Sequence, residues 1–155
     1  MSWSNPASPN LADYMLFLQN NVGIPESYLP YTPVPSPFIE YAFYRAMNLV
    51  IRVSTFGSGF DYTLAVYNCA AHIQLVITPD QTERTFFRKK RDEYDLLKPV
   101  VGLVASSSDE GTSVTNAVPD ALRQLTISDL GFMRTVWGRE YLAYNQDYGC
   151  PWGLS

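Results

Sequence analysis

Wound as a helix, the stretch from Asp61 to Ile77 is apolar on almost every side. Leu64, Ala65, Val66, Tyr67, Ala70, Ala71, Ile73, Leu75 and Val76 cover it, and only Asp61, Asn68 and His72 make a narrow polar stripe. A helix without a wet face has to be enclosed by other elements. The sequence therefore predicts one domain, residues 1–155, built around a single central helix that Thr78-Pro79-Asp80 brings to an end. A chain of 155 residues with 46% hydrophobic and 17% charged content has the apolar surface for such a core.

Two further helices are expected before it. Asn10 is a good N-cap, and Leu11, Tyr14, Met15, Leu18 and Val22 recur on one face until Gly23 supplies a stop. Ser36 and Pro37 mark the second helix, as cap and first-turn proline. Phe43, Met47 and Val50 fall on one side of it, and Tyr41, Arg45, Asn48 and Arg52 on the other. Ser54 to Gly59 reads as a loop. Beyond the central helix, Glu83–Lys98 reads as a solvated helix with Arg88–Asp92, Lys89–Glu93 and Arg91–Asp95 paired one turn apart. Ser128 is expected to cap a short turn through Met133, and Thr135 to cap a final helix bearing Trp137, Tyr141, Leu142 and Tyr144. The expected fold class is mainly α: a small helical bundle with a projecting β-hairpin, an extended proline-rich arm and a C-terminal tail.

The arm is residues 24–37, where Pro25, Pro30, Pro33, Pro35 and Pro37 forbid a helix or a central strand. Tyr28, Leu29, Tyr31 and Val34 give it apolar groups, suited either to folding over its own domain or to docking on a neighbour. The hairpin is residues 100–118: Val100–Val104 and Thr112–Val118 read as strands around a turn of Ser106, Ser107, Ser108, Asp109, Glu110 and Gly111. Its small hydroxyl residues bury little, so it is expected to extend from the core and gain order between subunits. Gly149, Cys150, Pro151, Trp152, Gly153, Leu154 and Ser155 cannot continue a helix and form the tail.

Several function classes are disfavoured. A net charge of −4 argues against tight phosphate binding, and acids follow the Arg88–Arg91 run at once. No apolar stretch is long enough to cross a bilayer, and the first ten residues do not resemble a signal peptide. Cys69 and Cys150 make no disulfide framework, which fits synthesis in a reducing cytosol. One histidine, two distant cysteines and no acidic pair at ligand spacing suggest no metal site. No nucleophile elbow, phosphate loop or dinucleotide fingerprint occurs. His72 is expected to be a hydrogen-bonded core or interface residue, and Cys69 an inert buried thiol. No catalytic residue, cofactor or metal ligand is assigned, and the chain is not expected to be an enzyme. Eleven Tyr, eight Phe and three Trp instead suit surfaces that meet other proteins.

Three stretches taken together resemble the head-to-tail connector, or adaptor, proteins of tailed bacteriophages. They are the alanine-bearing helix Tyr62 to Ile73, the hairpin Gly102 to Val114, and Thr135 to Ala143. The last is similar to a Thr-x-aromatic-Gly-x-x-Tyr/Leu segment opening the final helix of such proteins, here Thr135, Trp137, Gly138, Arg139 and Tyr141. A threonine cap and a glycine that permits close packing make physical sense there. The resemblance covers roughly Asp61 to Tyr148. It implies a ring, commonly of twelve copies, beneath the portal protein and above the tail or nozzle proteins. DNA would pass along its axis without specific binding, and carboxylates lining that channel would repel phosphate. It also implies that the tail docks on the portal and that a chain made in the bacterial cytoplasm ends in the virion neck. Two other readings stand beside it: another neck or tail-completion ring protein, and a soluble protein-binding module with an aromatic groove. Catalysis by Cys69, His72 or a carboxylate is the remaining alternative, Cys69 and His72 lying three residues apart on one helix.

Overall fold

The computed structural model describes residues 8–29, 36–50, 56–80, 84–98, 106–109, 112–115 and 127–148. They are mainly helical. Leu11–Phe17 form α1, continued by a π-helical segment at Leu18–Val22, and Glu26–Tyr28 make a 3-10 turn. Pro37–Leu49 form α2, Gly59–Ile77 α3 and Phe86–Glu93 α4. Ser106–Asp109 (β1) and Thr112–Thr115 (β2) pair antiparallel, and Ile127–Phe132 (α5) and Val136–Tyr148 (α6) follow.

The central helix is α3. Thr63, Ala65, Val66, Tyr67, Cys69, Ala70, Ala71, Gln74 and Leu75 are all essentially sealed from solvent. Both α2 and α6 pack along it, and α4 packs against it as well. It starts two residues before Asp61, because Ser58 is the cap: its hydroxyl accepts from the Asp61 N–H at 3.2 Å and donates to the Asp61 carboxylate at 2.9 Å. The cap hydroxyl thus satisfies one free N–H of the first turn and is itself held by the Asp61 carboxylate.

Tyr67, halfway along α3, ties three helices together. Its ring lies 5.6 Å from those of Tyr14 and Phe17 and 6.4 Å from that of Phe43. Its hydroxyl accepts from the Asn10 N–H and donates to the Asn10 carbonyl, both at 3.0 Å. The Asn10 side chain meanwhile caps α1 through the Ala12 N–H at 2.8 Å. The chain then leaves α1 through Gly23 at a φ of 76°, a left-handed turn that glycine adopts without a steric penalty.

Several expectations need correction. The first part of the proline-rich arm is not extended, since Ile24 and Leu29 are core residues and Tyr28 packs on Phe86 and Phe87. Two apolar anchors within six residues outweigh the stiffness of a single intervening proline; residues 30–35 lie outside the described residues. Ser36 makes no side-chain cap, and its carbonyl alone receives the Ile39 N–H at 2.8 Å. Ser128 lies inside α5 instead of capping it.

The charged segment forms a shorter helix with different pairs. Asp80 accepts from the N–H groups of Phe87 at 3.0 Å and Arg88 at 2.6 Å, anchoring the start of α4 from outside it. Arg91 turns inward to the Thr78 carbonyl at 2.6 Å and lies 3.5 Å from Asp80. A cation at the last carbonyls of α3 is favoured by the helix dipole, which explains why Arg91 abandons Asp95. Lys90 pairs with Glu93 and Lys98 with Asp95 instead. In the ladder, Asp109 stands opposite Thr112 and Ser106 opposite Thr115, so the serines expected in a turn are strand residues. Only Glu110 and Gly111 separate the strands, a length that a tight connection uses. Val100–Val104, expected as the first strand, lie outside the described residues.

Replacing Tyr67 by phenylalanine keeps the ring packing and removes the tether to Asn10. We expect Tyr67→Phe to lower unfolding stability by about 1–2 kcal/mol in urea titrations, with an unchanged helical circular-dichroism spectrum.

Candidate functional site

The polar stripe of α3 is where α6 docks. At one end of the seam the Tyr148 hydroxyl donates to Asp61 at 3.1 Å; at the other, Thr135 meets His72 Nδ1 at 2.8 Å. The helices run antiparallel, so these contacts fix both ends of α6. Asn68, between them, turns its amide back to the Leu64 carbonyl at 2.9 Å. All three stripe residues are thereby accounted for within the fold.

His72 lies buried at its end of the seam. The Thr135 hydroxyl oxygen accepts from the Gly138 N–H at 2.9 Å and stands 2.8 Å from His72 Nδ1. Burial, including the Phe132 ring at 4.5 Å, pushes the His72 pKa down to about 4. Burial also pushes the Cys69 thiol up to about 12, against a small opposing effect of Arg45. Both shifts run away from a thiolate–imidazolium pair, which needs an acidic thiol beside a basic imidazole. Among the described residues no group of three or more His, Cys, Asp or Glu is placed to hold a metal ion. No helix among them is long and apolar enough to cross a membrane.

No family model, curated protein or solved structure matches this chain. Its site has to be read from its own geometry.

The final-helix motif does packing work. A Cβ on Gly138 would come within 2.0 Å of the Phe132 carbonyl oxygen, so the α5–α6 corner closes only around a residue without a side chain. Tyr141 is buried against Phe132 at 4.9 Å, and Trp137 meets Tyr94 edge-on at 6.1 Å. Arg139 is exposed and donates to the Met133 carbonyl at 3.3 Å. These residues lie in one region; the paired strands are a separate element, known here through their backbone register alone. Glu110, Gly111 and the tail residues 149–155 lie outside the described residues.

A second feature escaped the sequence reading. Tyr41 is 53% and Tyr44 55% exposed, and Leu49 and Val76 are also open to solvent. Beside them lies an open groove of about 320 Å3, bounded by α2, α3 and α5, with Arg45, His72 and Phe132 in its lining. A neighbouring hollow of about 430 Å3 runs along α2 past Glu40, Tyr44 and Asn48. The available signal was aromatic: Tyr41 and Tyr44 stand three apart on the helix side opposite Phe43 and Ala46. Arg45 and Asn48 share that side with them.

Two predictions follow from the seam. The unfolded chain binds more protons than the folded one between pH 6.5 and about 4, so stability falls as pH drops through that window. The loss should be on the order of 3 kcal/mol, and His72→Gln should flatten it in urea titrations across that range. Gly138→Ala should cost about 3 kcal/mol by the same measurement, because the clash is with backbone and cannot be relieved by a rotamer change.

Proposed function

We propose that this chain is a non-catalytic ring subunit that joins the portal to the tail in the neck of a tailed bacteriophage. The observation carrying this reading is the corner at Thr135 and Gly138. The cap and the close approach are what the Thr-x-aromatic-Gly segment of the connector proteins requires, and both are present here. The exposed aromatic face of α2 supports it further, since a subunit with neighbours on several sides keeps such surfaces for them. The placement of Cys69 and His72 speaks for a structural role over a catalytic one.

In this reading about twelve copies surround an axial channel through which DNA is ejected without being specifically bound. The paired strands project toward a neighbouring subunit, with Ser106, Ser107, Ser108, Asp109, Glu110, Gly111 and Thr112 at the contact. Residues 149–155 dock on the portal, and the opposite side of the ring receives tail or nozzle proteins. A second reading is favoured by the open groove between α2 and α5: a monomeric module that binds one protein segment there.

Native mass spectrometry of the purified chain, alone and mixed with portal rings, separates the two. Addition in one fixed symmetric multiple is the expected outcome; a chain that leaves portal rings unaltered contradicts the proposal. Removing residues 149–155 should weaken attachment while the helical circular-dichroism signal and unfolding midpoint stay unchanged.

A further inference from the structure

Two faces lack a partner among the described residues, and their chemistry matches. On α2, Tyr41 and Tyr44 flank Arg45, whose guanidinium makes no hydrogen bond or ion pair among the described residues. On α6, Val136, Glu140, Ala143 and Asp147 follow one another at spacings of four, three and four residues and form one exposed row. Val136 is 45% exposed, and neither Glu140 nor Asp147 has a hydrogen bond or ion pair among the described residues. Both helices pack along α3 but make little contact with each other, so the faces occupy different flanks of the central helix.

We infer that the α2 face of one copy docks on the α6 row of the next. Ala143 is the smallest residue of the row, and the carboxylates on either side of it offer Arg45 a partner. Pairing α6 with itself would instead set Glu140 and Asp147 against their own copies, a like-charge arrangement that opposes association. A contact between unlike faces leaves each chain with one free face of either kind, so it repeats, and it gives a ring where the rotation closes and an open filament where it does not.

The size of the face determines how it behaves. Half of a tyrosine side chain is about 100 Å2, so the exposed groups on α2 offer a few hundred Å2 in all. A stable pair takes about 800 Å2 on each side. The contact is accordingly weak between two free copies and accumulates in a closed set. This inference rests on the proposed function only in requiring that copies meet.

The test places a photo-crosslinking phenylalanine analogue at position 48, on the exposed side of α2 and outside the tyrosine pair. Isotope-labelled and unlabelled full-length chains are mixed at the highest attainable concentration and illuminated. Peptide mapping should join position 48 of one copy to α6 of another. Arg45→Glu should lower the yield about fivefold, and adding Glu140→Arg should restore most of it. Cross-links only to α2 of a second copy, no cross-links between copies, or an Arg45→Glu yield equal to wild type would each overturn the inference. Cross-linking through α6 by a chain that ignores portal rings sinks the proposed function and leaves this interface standing. Symmetric addition to portal rings with cross-links elsewhere does the reverse.

Discussion

Tyr67 has no exposed surface, yet its hydroxyl reaches the backbone of Asn10 and its ring touches residues from both α1 and α2. This side chain joins the start of the chain to the middle of α3. Around it, small residues such as Ala65, Ala70 and Ala71 let neighbouring helices come close to the α3 backbone. Burying α3 on nearly every side is a demand that no single neighbour can meet. The bundle is the arrangement in which α1, α2, α4 and α6 share that task.

How polar groups survive beside such a helix explains much of the remaining architecture. Each polar residue of its stripe is matched by a group delivered from elsewhere or by its own helix backbone. Asp61 accepts from the Tyr148 hydroxyl, His72 pairs with that of Thr135, and Asn68 bonds back to Leu64. An unpaired group there would cost more than a hydrogen bond contributes, so the stripe determines where α6 lies as firmly as the apolar surface does. The same logic draws Arg91 out of the solvated face of α4 to the carbonyls that end α3.

What was legible in the sequence followed from local chemistry. The central helix, the Asn10 cap, the Gly23 stop and the Thr135 cap all depend on residues within a turn or two of one another. The departures arose where a distant partner decided the outcome. Ser58 caps α3 with its hydroxyl held by Asp61, a pairing hidden by the glycines on either side of Ser58. Ile24 and Leu29 return to the core because there is room for them there, which a count of prolines does not reveal. For the candidate site the division is similar. The residues of the final-helix motif were found by pattern, but the role of Gly138 depends on the position of the Phe132 carbonyl. The open face of α2 became visible only once it was clear which of its sides the core had taken.

The contact at the end of α6 also has a mechanical side. Tyr148 is the last residue of that helix, and its hydroxyl holds the carboxylate that accepts from Ser58, the cap of α3. Tension entering through the residue that follows it would therefore reach the beginning of the buried helix before it reached the middle. Because α6 lies antiparallel along α3, such a pull shears the seam lengthwise instead of peeling it open. Several contacts then share the force, from Asp61 at one end to His72 at the other.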